Sequence, residues 1–261
     1  MKMSRLSLFC FSFVFIVCFG LNGKEKDPYE RFIGLGNCCV TRNQINLHLM
    51  KRFGKDQHFF GGGQLFDWLV VHDYNKLAKA FENDLLDLFD RSDLVIVNKE
   101  SAHPNVKNIK YNMTWAHLFS RDVNNLITNI DLEYDCKKQK IEYLSNKFRE
   151  LKKYRTLYII AYPFEGNGPF DTIKPTKKVL IRLRNALKNI RGNNNFSILF
   201  CSLENASMKF ENIYFRKIVN PINGTPCQGD NACWDELLSQ FPFILNQQET
   251  DGSGMDDSIS G

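Results

Sequence analysis

Two adjacent cysteines, Cys38 and Cys39, stand where a short apolar run, Ile33 to Leu35, passes through Gly36 and Asn37 into a helical pattern that continues to Phe53. This spacing puts a thiol on the first turn of a helix. Backbone N–H groups there have no partner within the helix and the macrodipole favours negative charge, so a cysteine at this position tends toward the thiolate. A thiolate attacks carbonyl carbon, and the same N–H groups, with Asn37 beside them, can hold the resulting oxyanion. The plainer use of such a cysteine is as a small buried filler or as half of a disulfide. His48 follows Cys39 by nine residues, more than two turns, and is too far along the helix to act on it.

A second group of residues lies downstream. In Phe66-Asp67-Trp68 the rings are expected to pack near the cysteine helix, and Asp67 between them must be hydrogen-bonded if it is buried. It can orient a site or cap the helix that follows. Gly61-Gly62-Gly63 is not followed by Lys-Ser/Thr and reads as a loop, not a phosphate cradle.

Gly34-Leu35-Gly36-Asn37-Cys38-Cys39-Val40, followed by Leu65-Phe66-Asp67-Trp68, resembles the S-L-G-x-x-C and P-F-D-W signatures of the DUF1796 family, described as papain-like cysteine peptidases. The resemblance runs from about Tyr29 to Phe243 and sets the family cysteine on Cys39. Gly34 stands where the family has serine, and Leu65 where it has proline. The resemblance implies a thiol hydrolase in which a histidine comes later in the chain than the cysteine. On that basis His117, in the aromatic segment Met113 to Phe119, is the expected base, with Asp122 or Asp67 as the orienting carboxylate. His72 and His103, on loops, are the other candidates. A protein or peptide substrate is expected, and no cofactor. The same residues would serve an acyltransferase.

The elements that must position these residues follow from periodicity. The cysteine helix is apolar on two sides, Ile45, Leu49 and Phe53 on one and Val40, Leu47 and Met50 on the other, which predicts a helix sandwiched in the core. Amphipathic helices are expected over Tyr74 to Asp90, Lys137 to Lys153, Pro175 to Arg191 and Cys233 to Phe241. Strands are expected at Leu94 to Val97, Leu157 to Ala161, Phe196 to Ser202 and Ile213 to Val219. Alternation of helix and strand predicts an α/β fold, or a mixed α+β one, with a single domain and a central sheet covered by helices.

Residues 1 to 23 read as a secretory signal peptide: Lys2 and Arg5 precede an apolar run, with Cys18 and Gly20 at the positions where small residues permit cleavage. The expected location is therefore extracytoplasmic, secreted or periplasmic, with no stable membrane span once the signal is removed. Residues 24 to 245 form the domain, and the Gly/Ser/Asp-rich residues 246 to 261 a disordered tail. Export permits disulfides; Cys227 and Cys233, in a Pro/Gly/Asn-rich stretch, are the expected pair, and Cys38 with Cys136 is a second candidate pair. No C-x-x-C or H-x-x-x-H spacing occurs, so no metal site is expected. A formal net charge of +5 on 261 residues does not point to nucleic acid. The rival to a hydrolase is a non-catalytic secreted or surface module whose cysteines are structural.

Overall fold

The structure, a computed structural model, describes residues 27–36, 39–55, 63–97, 105–116, 118–124, 126–127, 129–162, 172–203, 208–218 and 230–244. Its fold is α/β, built on a five-stranded sheet. Strands β1 (Arg31–Gly34), β6 (Thr156–Ala161), β7 (Phe196–Ser202) and β9 (Ile213–Lys217) lie parallel in that order, and β8 (Met208–Phe210) closes the edge antiparallel to β9. A smaller antiparallel sheet has the order β2 (Leu69–Val71), β5 (Met113–Trp115), β4 (Asn105–Asn108), β3 (Leu94–Val97).

Strand periodicity divides the core in two. Phe32, Leu157, Ile159, Leu199 and Tyr214 face one side of the large sheet, where α1 (Cys39–Phe53) contributes Ile45 and Leu49, and α5 (Asn231–Leu238) contributes Trp234 and Leu237. Ile33, Tyr158, Ile160, Ile198 and Phe200 face the other side and pack against α2 (Tyr74–Glu82), α3 (Tyr134–Glu150), α4 (Lys177–Arg191) and the small sheet. β6 and β7 are buried along their whole length, as their predominantly apolar sequences require of central parallel strands.

The helix ends follow capping chemistry. The Asp73, Thr176 and Asp230 side chains accept backbone N–H groups at the starts of α2, α4 and α5, and Gly192 ends α4 in the left-handed conformation at φ 67°.

Three expectations are corrected. The helix expected over Tyr74 to Asp90 ends at Glu82. There the Leu85 N–H returns to the Ala80 carbonyl and the Asp84 N–H to the Phe81 carbonyl, with Asp84 left-handed at φ 51°; these are the bonds of a Schellman stop, made without glycine. Leu85 and Leu88 are still buried, so the apolar stripe continues past the end of the helix. Asn105–Asn108, outside every strand expected from the sequence, form β4. Finally, α1 is not sandwiched: Leu47 is 43 % and Met50 50 % exposed, because α1 lies on the outer face of the sheet and buries only the side that carries Ile45 and Leu49.

Candidate active site

The site is built from the turn between β1 and α1. The Leu35 N–H extends the β1 ladder to the Ile159 carbonyl at 2.8 Å, and the Leu35 carbonyl accepts the buried Tyr74 hydroxyl at 3.2 Å. Burial raises the Tyr74 pKa well above the usual phenol range, so this hydroxyl stays a donor. Gly36 turns the chain at φ 90°, and a Cβ there would lie 2.6 Å from Cγ2 of Val71. A Cβ on Gly34 would lie 3.1 Å from Cγ2 of Thr41, whose hydroxyl donates to the Gly36 carbonyl at 3.3 Å. Protein packing therefore accounts for both glycines, and they do not form an open cradle for a ligand. Cys39 is the first residue of α1, as the sequence predicts; Asn37 and Cys38 lie outside the described residues.

The Phe66-Asp67-Trp68 turn packs beside this helix start. The Phe66 ring lies 5.4 Å from Phe148 and 5.8 Å from Phe81, which anchors the turn to α3 and α2. Asp67 is 3 % exposed. Its Oδ2 accepts the Gln64 N–H at 2.8 Å and lies 3.5 Å from Nη1 of Arg42, three residues into α1 from Cys39. The Arg42 guanidinium also sits 5.1 Å from the centre of the Trp68 ring. On the other side, the Lys147 ammonium donates to the Gly63 carbonyl at 3.1 Å; burial lowers its pKa, against the opposing pull of Asp67. Asp67 thus ties its own turn to the cysteine helix and does not cap α2, a task that falls to Asp73.

The expected catalytic residues fall unevenly on this frame. His117 lies outside the described residues, but the chain immediately before it is fixed: the Ala116 N–H donates to the Trp68 carbonyl at 3.1 Å, and the Ala116 carbonyl accepts Arg121 Nη2 at 3.2 Å. Asp122 is exposed, and its Oδ1 accepts the N–H groups of Asn124 and Leu126 at 2.9 and 2.8 Å, closing its own turn. Of the two candidate carboxylates, Asp67 is the one joined to α1. His72 lies on the bend after β2, as expected of a loop residue, but is buried, with Nε2 2.8 Å from the Thr114 hydroxyl; His103 lies outside the described residues. His48 faces away toward α5.

Cys233 carries a free, half-buried thiol, and its expected disulfide partner Cys227 lies outside the described residues. Cys136 is free and exposed; Cys201 is free and fully buried, with its thiol pKa pushed far up by burial. Among the described residues no group of three His, Cys, Asp or Glu side chains could hold a metal ion, and no helix is long and apolar enough to cross a membrane.

Sequence reasoning missed Arg42. The available signal was a lone cation one turn into an otherwise uncharged helix start, with a buried aspartate in need of a partner. Compared with models of known families, with curated proteins and with solved structures, the chain matches none.

Proposed function

We propose that the protein is an exported thiol hydrolase of the papain-like kind, acting on an amide or ester, with Cys39 as its nucleophile. The observation that carries this reading is the position of Cys39 as the first residue of α1, directly after a turn held by Tyr74, Val71 and Thr41. In the proposed reaction the Cys39 sulfur bonds to the substrate carbonyl carbon, and His117 takes the thiol proton and returns it to the leaving amine or alcohol. Water then cleaves the thioester, and a second acceptor in place of water would make the protein an acyltransferase. The first N–H groups of α1, with Asn37, hold the oxyanion. Support for His117 comes from the anchoring of Ala116 to Trp68, whose ring meets Arg42 of α1. Asp67 acts as a positioning residue through Arg42.

The test is iodoacetamide labelling of the native chain at about pH 6.5, read by peptide mapping so that the exposed Cys136 is counted separately. Cys39 is expected to label faster than Cys136, and His117→Ala to slow Cys39 alone. A Cys39 that is unreactive or locked in a disulfide would return the chain to the non-catalytic module.

A further inference from the structure

α1 and α5 meet through a polar seam in an otherwise apolar layer. His48, 2 % exposed, places Nδ1 2.7 Å from Oδ1 of Asp235, and the other oxygen of that carboxylate receives the Lys51 ammonium. One turn earlier on α1, Gln44 Nε2 donates to Oδ1 of Asn231 at 2.8 Å. The Phe32 ring of β1 stacks on the imidazole, with ring centres 6.1 Å apart and 25° between the planes. His48 Nε2 is buried and, among the described residues, has no hydrogen-bond partner.

This geometry selects one protonation state. The Lys51 hydrogen bond holds the Asp235 carboxyl below the usual carboxylate range, so Asp235 is an ionised acceptor. Nδ1 therefore carries the proton, and the orphaned Nε2 is a bare lone pair. An unused lone pair under an aromatic ring costs little. A second proton would place an N–H there with no acceptor, on a cation removed from water, and an unsatisfied charged donor is the expensive case.

We propose that the His48–Asp235 pair is an acid-released latch: neutral His48 holds α1 against α5, and its protonation favours states in which α1 has lifted away from that contact. The charged groups that act on His48 are Asp235 from α5 and Lys51 and Arg52 from its own helix, while β1 contributes the Phe32 ring. Burial lowers the His48 pKa below its ordinary 6.5, and the Asp235 hydrogen bond opposes this without cancelling it. An opened α1 exposes His48 to water and restores the ordinary value. The latch is thus fully closed above pH 6.5 and weakens as pH falls from 6.5 toward the folded value. One linked proton limits the gain in opening to about tenfold per pH unit. Because α1 begins at Cys39, acid would release the helix on which the proposed nucleophile sits, yet the inference concerns only the attachment of α1 and does not depend on catalysis.

The test is backbone amide exchange on the full chain at about pH 7.5 and about pH 5.5, corrected for intrinsic rates. Amides of α1 and α5 are expected to lose up to about tenfold more protection per pH unit than amides of α4, which covers the opposite face of the sheet. His48→Asn, which keeps a donor for Asp235 but does not titrate, is expected to abolish the difference. Equal pH dependence in α1 and α4, or a difference that survives in His48→Asn, would overturn the latch. Ring resonances of the unaltered chain give a readout that needs no variant: His48 is expected to titrate below 6.5, and titration at or above that value in the folded chain overturns the proposal.

Discussion

Arg42 Nη1 and Asp67 Oδ2 lie 3.5 Å apart, joining the first full turn of α1 to the turn that precedes β2, with the aspartate side chain 2 % and the arginine 14 % exposed. The carboxylate is shielded from water and also accepts the Gln64 N–H, so the pair fixes where the cysteine helix sits relative to the Phe66-Asp67-Trp68 turn. Arg42→Ala removes the cation and leaves the buried carboxylate behind. It is expected to cost about 1–3 kcal/mol in denaturant unfolding. Asp67→Ala is expected to cost a similar amount. The double variant should fall short of the sum by at least about 0.5 kcal/mol, because both single changes break one contact.

Gly36→Ala tests the turn itself. Its φ of 90° and the 2.6 Å approach of a Cβ to Val71 Cγ2 impose two separate penalties, backbone strain and overlap. Together they are expected to cost about 2–4 kcal/mol. Adding Val71→Ala should remove the 2.6 Å overlap with Cγ2 but leave the strain and the 3.0 Å approach to the Val71 Cβ, so the effect of Gly36→Ala measured in a Val71→Ala background should be smaller.

Arg191 is a buried cation, 3 % exposed, at the end of α4. It donates to the Tyr158 hydroxyl and the Tyr154 carbonyl, both at 2.8 Å, and to the Asn195 carbonyl at 3.1 Å. These partners are spread around a planar fork that an ammonium cannot match. Arg191→Lys keeps the charge but is expected to lower stability by about 2–4 kcal/mol, measured by thermal or denaturant unfolding.

Asp87 predicts an acid response distinct from that of His48. Burial pulls its pKa up, but hydrogen bonds from Lys110, Tyr111 and Asn83 outweigh this and hold it at about 2. A depressed carboxylate contributes stability that is present above its unfolded value of 3.8 and is lost as pH falls toward 2. Asp87→Asn should therefore be less stable than the parent at neutral pH by on the order of 1–2 kcal/mol and should show a shallower loss below about pH 4. Unfolding midpoints across that range measure it.

The sequence by itself determined the elements whose signals are local. The helix over Pro175 to Arg191 and the strands at Leu157 to Ala161 and Phe196 to Ser202 follow from apolar patterns that span only a few residues. It also determined that Cys39 opens a helix after a glycine turn, since cap and turn chemistry act over a few residues. Tertiary structure alone decided which of two apolar sides of α1 is covered: Ile45 and Leu49 met the sheet, and Leu47 and Met50 met solvent, although periodicity treats the two alike. It alone decided that Asp67 belongs to Arg42, and that His48 belongs to Asp235 at a separation of 187 residues. A buried charge states in the sequence only that it needs a partner. Which partner it finds depends on how distant segments pack, and no pattern along the chain encodes that distance.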